Sequence, residues 1–325
     1  MDTTVADLVY VDPVNPIHDT GYRTQTDKAW ARAYHPIRNL VVHTRVGQDR
    51  QTYSSFDAAF HSWDEDDTLR MACAAAPPNQ RAWRLETEAD CELWFHTEIS
   101  NIVLAAWNEY RGVTQSSHIK PPRTDRIPEE VDSTYTVKVR NERTVLAIGE
   151  MKRNLVENVR WQQGSLGGSM GQVKLSQELR GYADKYQCPH VFCFDGKTLV
   201  LLQFRANRLE DIREEHCPVD CWVFPRDSST IPLRYALYML LVQGFRRFQG
   251  AYAQPLTVGG LAPQSRQFFD GLPVWTSADG DPVLEHPGGY QRSVDPDSGA
   301  LRWTHPENDD LVWETEAFWG EHAAP

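Results

Sequence analysis

Two acidic residues and a lysine near the middle of the chain have the types and spacing that phosphodiester chemistry needs. Asp132 opens an apparent strand, STYTVKV, and Glu150 and Lys152 close the next one, TVLAIGEMK. Side chains two apart on a strand share a face, so Glu150 and Lys152 project together while Met151 turns to the core. If the two strands pair as a hairpin, Asp132 comes to the same end. Two carboxylates suit Mg²⁺ or Mn²⁺, since hard divalent ions take oxygen ligands and keep several waters. Such an ion activates water and stabilises charge on a phosphate. Lys152 is then placed to orient the water or to counter negative charge on the phosphorane. The next helix, QVKLSQELRGYADKY, carries Gln177, which can hold the water or a neighbouring side chain; Gln172 is its rival.

The elements that must position these groups are legible in outline. Residues 1–80 read as a polar, proline-punctuated N-terminal arm, with a short helix near 28–34. A second short helix over 56–63 is expected, with the acids of WDEDD as its solvated end. Residues 81–250 read as an α/β core. It opens with a long helix over 85–110 whose apolar face is Trp94, Ile99, Val103, Ala106 and Trp107. A charged, proline-rich loop over 111–130 leads into the two strands. The glycine-rich GSLGGSMG connects to the helix at 172–186. A strand, an Asp195-Gly196 turn and a second strand come next, the strongest hairpin signal in the chain. A short strand at 221–224 and a helix at 233–248 complete the core, the helix with basic residues near its C-terminus. Residues 251–325 read as an acidic, aromatic-rich tail with short strands packed on the core, its tryptophans arguing against disorder.

The order of an acidic residue, a strand, Glu-x-Lys at a strand end and a helix with a glutamine resembles the PD-(D/E)xK nuclease superfamily. IGEMK followed by QELRGY and a strand-turn-strand looks especially like the fungal PD-(D/E)xK nuclease-like proteins. The likeness covers roughly residues 85 to 250. It implies a restriction-endonuclease-like core, a mixed central sheet flanked by helices with the metal site at one sheet edge. The metal ligands it implies are Asp132, Glu150 and the backbone carbonyl of Met151, with Lys152 as the catalytic lysine and Gln177 in support. Glu98, in HTEISNIVLAAW, is similar to a glutamate that many members carry on the first core helix. Val131 stands where the family's proline would be, and Asp125 is a rival for the first acidic position. The activity implied is Mg²⁺- or Mn²⁺-dependent hydrolysis of nucleic acid, DNA in the first instance, and a homodimer is compatible with it. The competing reading is a nuclease fold that no longer cuts and serves as a nucleic-acid or protein interaction module.

Composition bears on these readings. The formal net charge of -12 opposes nucleic-acid binding until it is located. From Asp270 onward there are 12 acidic and 2 basic residues, so the tail holds nearly all the excess. Around the motif, Lys138, Arg140, Arg143, Lys152, Arg153 and Arg160 outnumber Glu142, Glu150 and Glu157. No apolar run is long enough for a membrane span, and the N-terminus lacks the pattern of a secretory signal. The expectation is therefore an intracellular protein, in nucleus or cytoplasm, with its six cysteines as free thiols. Cys188, His190 and Cys193, and His216, Cys217 and Cys221, are close enough in sequence to suggest zinc, but no paired CxxC supports it. GSLGGSMG lacks the Gly-Lys-Ser/Thr ending of a P-loop. Glu150 and Lys152 alone could equally be a cross-strand charge pair on a solvated face.

Overall fold

A computed structural model describes residues 3–56, 59–60, 63–108, 113–118, 130–139, 142–227, 230–253 and 256–319. Asp125 lies outside them. Seven strands form one mixed sheet: β1 (Leu40–Val42), β2 (Val113–Ser116), β3 (Ser133–Val139), β4 (Glu142–Met151), β5 (His190–Phe194), β6 (Thr198–Phe204) and β7 (Val219–Pro225). Their spatial order is β1-β7-β6-β5-β4-β3-β2. β4 pairs with β5 in parallel, as β7 does with β1, and all other neighbours are antiparallel. Antiparallel neighbours can be joined by tight turns, whereas the parallel pair β4–β5 needs a crossover, which is a helix.

Four helices matter here: α1 (Glu65–Ala72), α2 (Glu88–Phe95), α3 (Met170–Lys185) and α4 (Leu233–Ala251). α2 begins where Thr87 and Asp90 cap each other's backbone amides. It runs on through a π turn (His96–Ser100) into Asn101–Ala105. α3 forms the β4–β5 crossover. Every residue of β5 and β6 is buried, as expected of strands covered on both faces. Alternate residues feed two separate cores. Met151, Phe192, Phe194, Leu199 and Leu201 pack with Trp94, Phe95, Leu237 and Leu241 from α2 and α4. Ile148, Val191, Cys193, Val200 and Leu202 pack with Leu175, Leu179 and Tyr182 from α3. Gly149 has a steric reason: a Cβ there would run into the ring of Phe192 on β5.

The structure corrects several expectations. The N-terminal arm is woven into the core: β1 joins the central sheet, and Ile17–Asp19 pairs in parallel with Trp83–Leu85. The acids of WDEDD are no solvated end but start a helix of their own. Asp66 and Asp67 are buried, holding Arg70 at 2.6 and 2.7 Å, and Asp66 also binds Arg246. The expected loop at 111–130 includes β2, whose Thr114 hydroxyl meets that of Thr136 at 3.1 Å. Arg246 and Arg247 do not serve the helix dipole in solvent; both are buried, Arg247 bonding the Val145 carbonyl. The tail folds as expected into short strands. Gln291–Val294, Leu301–Thr304 and Leu311–Trp313 form one antiparallel unit, and Trp275 and Trp303 pack inward. Phe318 and Trp319 dock on Phe245 of α4. No helix among the described residues is long and apolar enough to cross a membrane.

The Arg70 cluster sets a stability test. Removing the guanidinium leaves two buried carboxylates without their main partner. Arg70→Ala is expected to lose about 3–5 kcal/mol of unfolding free energy, read by urea denaturation. A loss below about 1 kcal/mol, the scale of an exposed ion pair, would show that the cluster is not closed to water.

Candidate active site

Asp132 precedes β3 and Glu150 lies in β4, and the β3–β4 pairing sets Ser133 opposite Gly149. That register brings Asp132 to the end of β4, where its Oδ2 accepts the Met151 amide at 2.6 Å. β3 and β4 are the second and third strands from the β2 side, so the site sits at strand ends rather than on the outermost strand. The Met151 N–H points at Asp132, and in an extended strand the carbonyl of the same residue leaves on the same side. The Met151 side chain goes into the α2/α4 core, as its place between Glu150 and Lys152 requires.

Glu150 and Lys152 do share a face, the one covered by α3. Both are 3% exposed, and the Lys152 ammonium donates directly to Glu150 Oε1. Its second partner was not foreseen. Glu178 of α3, fully buried, accepts from Lys152 Nζ at 3.3 Å and is held by the Thr26 hydroxyl. Burial drives the Glu150 carboxyl well above its usual range, with Asp132 and Glu178 adding to the effect against Lys152. Burial works against the Lys152 ammonium, but Glu150, Glu178 and Glu88 outweigh it and keep it cationic. Burial also pushes Asp132 up to about 6, opposed by the Met151 amide and Lys152. Oε2 of Glu150 is buried with no hydrogen-bond partner among the described residues.

The other two predicted residues are engaged elsewhere. Gln177 donates to the Tyr34 carbonyl at 2.9 Å. Its rival Gln172 holds the Trp161 indole and the Leu155 carbonyl, at 2.7 and 2.9 Å. Glu98 is buried between Asn15 and Trp83, each 2.7 Å from its Oε1. Glu98 is six residues beyond Glu92, a step that puts the two on different sides of a helix at 3.6 residues per turn, and it lies within the π turn. The α2 acid that reaches the site is Glu92, before that turn. Its Oε2 lies 3.2 Å from His118 Nε2, and His118 Nδ1 lies 3.9 Å from Asp132 Oδ1. Glu92, His118 and Asp132 are the group among the described residues with ligand atoms within 4.8 Å of one another. Among those residues neither cysteine–histidine cluster meets that condition; His190 instead meets Gln203 at 3.2 Å.

The local positive balance also reads differently in three dimensions. Lys152 and Arg153 are buried, and Arg153 binds Asp19 and the Leu85 carbonyl. Lys138 and Arg143 are exposed but sit at the opposite end of the β3–β4 hairpin from Asp132 and Glu150. The result is a buried group of carboxylates with one cation among them. Asp132, Glu150 and the Met151 carbonyl offer oxygen atoms, the donor type that hard divalent ions take. No protein-family model, curated protein or solved structure matches the chain.

The Asp132 shift has a measurable consequence. Its folded pKa of about 6 exceeds the ordinary 3.8, so the protonated acid suits the fold. That contribution is full below pH 4 and is lost as pH rises through 6. With divalent ions chelated, Asp132→Asn is expected to be more stable than the parent at pH 7.5 by about 3 kcal/mol. The gain should vanish by about pH 4. A pH-independent difference in urea midpoints would contradict the assignment.

Proposed function

We propose that this chain is a metal-dependent nuclease of the PD-(D/E)xK superfamily, hydrolysing phosphodiester bonds of DNA with Mg²⁺ or Mn²⁺. The observation that carries the reading is the charge imbalance at the end of β4. Three carboxylates, Asp132, Glu150 and Glu178, face one ammonium, and a buried carboxylate oxygen has no partner among the described residues. The element order supports a restriction-endonuclease-like core: helix α2, antiparallel strands β2, β3 and β4, crossover helix α3, then β5 parallel to β4.

Asp132, Glu150 and the Met151 carbonyl would hold the ion. When bound, it supplies a water of lowered pKa and charge stabilisation for the phosphate. The chain's own groups do the positioning. Lys152, kept protonated by its carboxylates, is no base at neutral pH; it donates, to the attacking water or to a phosphate oxygen. Glu178, itself held by the Thr26 hydroxyl, accepts from Lys152 on the α3 side and Glu150 accepts from it on β4, so the ammonium is fixed in place. The Met151 amide fixes Asp132, and the β4–β5 pairing fixes Met151. The second reading, an interaction module without catalysis, draws on the direct Lys152–Glu150 pair, a contact that a purely structural cluster would also make.

The test is a cleavage panel of plasmid, linear duplex, single-stranded DNA and structured RNA, with Mg²⁺ and with Mn²⁺. Cleavage of DNA is expected, and Lys152→Ala should lower its rate by about 10²–10⁴-fold, the scale of a positioned donor or proton-transfer group. Gln177→Ala should cut like the parent. Absence of cleavage on every substrate with both ions would favour the interaction module.

A further inference from the structure

Glu92 and His118 play no part in the centre proposed above, yet they stand against it. One ligand atom from each of Glu92, His118 and Asp132 lies within 4.8 Å of the other two. The set is not purely acidic: it brings an imidazole to a carboxylate that the proposed centre already uses. A separate observation also points to a cation. Glu150 is 3% exposed, interacts electrostatically with Asp132, and has the unpartnered Oε2.

We propose that Glu92, His118 and Asp132 form a cation site with a nitrogen donor, which makes this protein select Mn²⁺ over Mg²⁺. Mg²⁺ is small, prefers oxygen and gives up water reluctantly. An imidazole in the ligand set favours the transition ions of the first row, for which affinity rises along the series from Mn²⁺. The surroundings are arranged for ligation. Glu92 Oε1 lies 3.3 Å from His96 Nε2, and His96 Nδ1 lies 3.4 Å from Ser100 Oγ. This is the kind of outer partner that fixes a ligating carboxylate. Gln115 of β2 comes to 3.1 Å of the same His96 nitrogen, which accepts from it when the ring proton is on Nδ1 and donates to Glu92 when the proton is on Nε2. The His118 side chain is 54% exposed, which gives an ion a path from solvent. Binding replaces the Glu92–His118 hydrogen bond with a shared ion, the displaced proton going to the other ring nitrogen or to water.

The inference rests on the nuclease reading only through the ligand role of Asp132, and its test needs no cleavage. The full chain is loaded with MnCl₂ and probed by pulsed electron paramagnetic resonance for coupling of the metal to ¹⁴N. Calorimetry with MnCl₂ and with MgCl₂ runs beside it, on the parent, His118→Ala and Glu92→Gln. His118 is on the surface, so its removal leaves the fold intact, as circular dichroism will verify. The parent should show nitrogen coupling and bind Mn²⁺ about tenfold more tightly than Mg²⁺. His118→Ala should abolish the coupling and cost about tenfold in Mn²⁺ affinity, with Mg²⁺ binding little changed. Glu92→Gln should weaken Mn²⁺ binding as well. Absence of nitrogen coupling in the parent, equal losses for both ions, or coupling that survives in His118→Ala (which would give the nitrogen to His96) each overturn the proposal. Nitrogen coupling without cleavage of any nucleic acid would sink the nuclease reading and leave the cation site standing. Cleavage with Mg²⁺ and no nitrogen coupling would do the reverse.

Discussion

Taking a charge out of water costs several kcal/mol unless partners replace the lost hydration, and at the end of β4 three ionisable groups are buried together. Lys152 touches both Glu150 and Glu178, and Asp132 stands close enough to raise Glu150 further. The ammonium cannot be removed without leaving two buried carboxylates facing each other, and neither carboxylate can turn to solvent. Much of the surrounding structure answers that constraint. Gly149 lets β5 bring Phe192 over the strand just before Glu150. The Lys152 amide continues the pairing to the Phe194 carbonyl at 2.9 Å, so the backbone stays fixed through the motif. Thr26 comes from the N-terminal segment to satisfy the far oxygen of Glu178.

β4 separates these roles by its two-residue period. One face sends Ile148, Glu150 and Lys152 toward α3, and the other sends Ala147 and Met151 into the α2/α4 core. The polar end of the α3 face is thus anchored by apolar packing on both sides of the sheet, which is how a fold can hold groups that repel one another. Asp132 is reached differently, through the backbone edge of Met151, and so it looks outward to α2 and β2 as well as inward to Glu150. It is the residue that stands beside both the strand-borne groups and the Glu92–His118 pair.

Legibility in the sequence depended on whether an element had a regular period. The β3 and β4 strands, the Asp195-Gly196 turn and the shared face of Glu150 and Lys152 all come from simple alternation, and they stand as expected. Gln177 failed by one residue. Leu175, Leu179 and Tyr182 face the core, and Glu178 is three after the first and four before the last, so it belongs to their face. A glutamate looks solvated by type, which hid a signal that spacing contained. Glu98 failed because it lies six residues beyond Glu92, on another side of the helix, where it faces Asn15 and Trp83; the five-residue step from Trp94 to Ile99 in the apolar face marks the π turn. His118 lies in a segment with no period at all, at a backbone φ of +52°, a conformation uncommon outside glycine. The burial of Lys152 and Arg153, which takes two of the six bases counted around the motif off the surface, is a tertiary fact that local charge counts do not carry.

Five other buried carboxylates of this molecule offer a comparison for the site. Asp66 and Asp67 are met by two guanidiniums, those of Arg70 and Arg246. Glu314 is met by Arg266 and Arg292, with the Trp303 indole as a further donor. Asp220 binds Arg205 and His43, and Asp195 accepts three backbone amides, from Val156, Lys197 and Thr198. In each case both oxygens are engaged, and wherever the partner is a cation it is arginine or histidine, whose planar donors match a carboxylate. At the end of β4 the chain departs from its own habit. It uses lysine, a compact charge on a flexible stem, sets it among more carboxylates than it can neutralise, and leaves one oxygen of Glu150 without a donor among the described residues. On the reading proposed above, a divalent cation would complete this imbalance, and the lysine would offer its ammonium to what that cation holds.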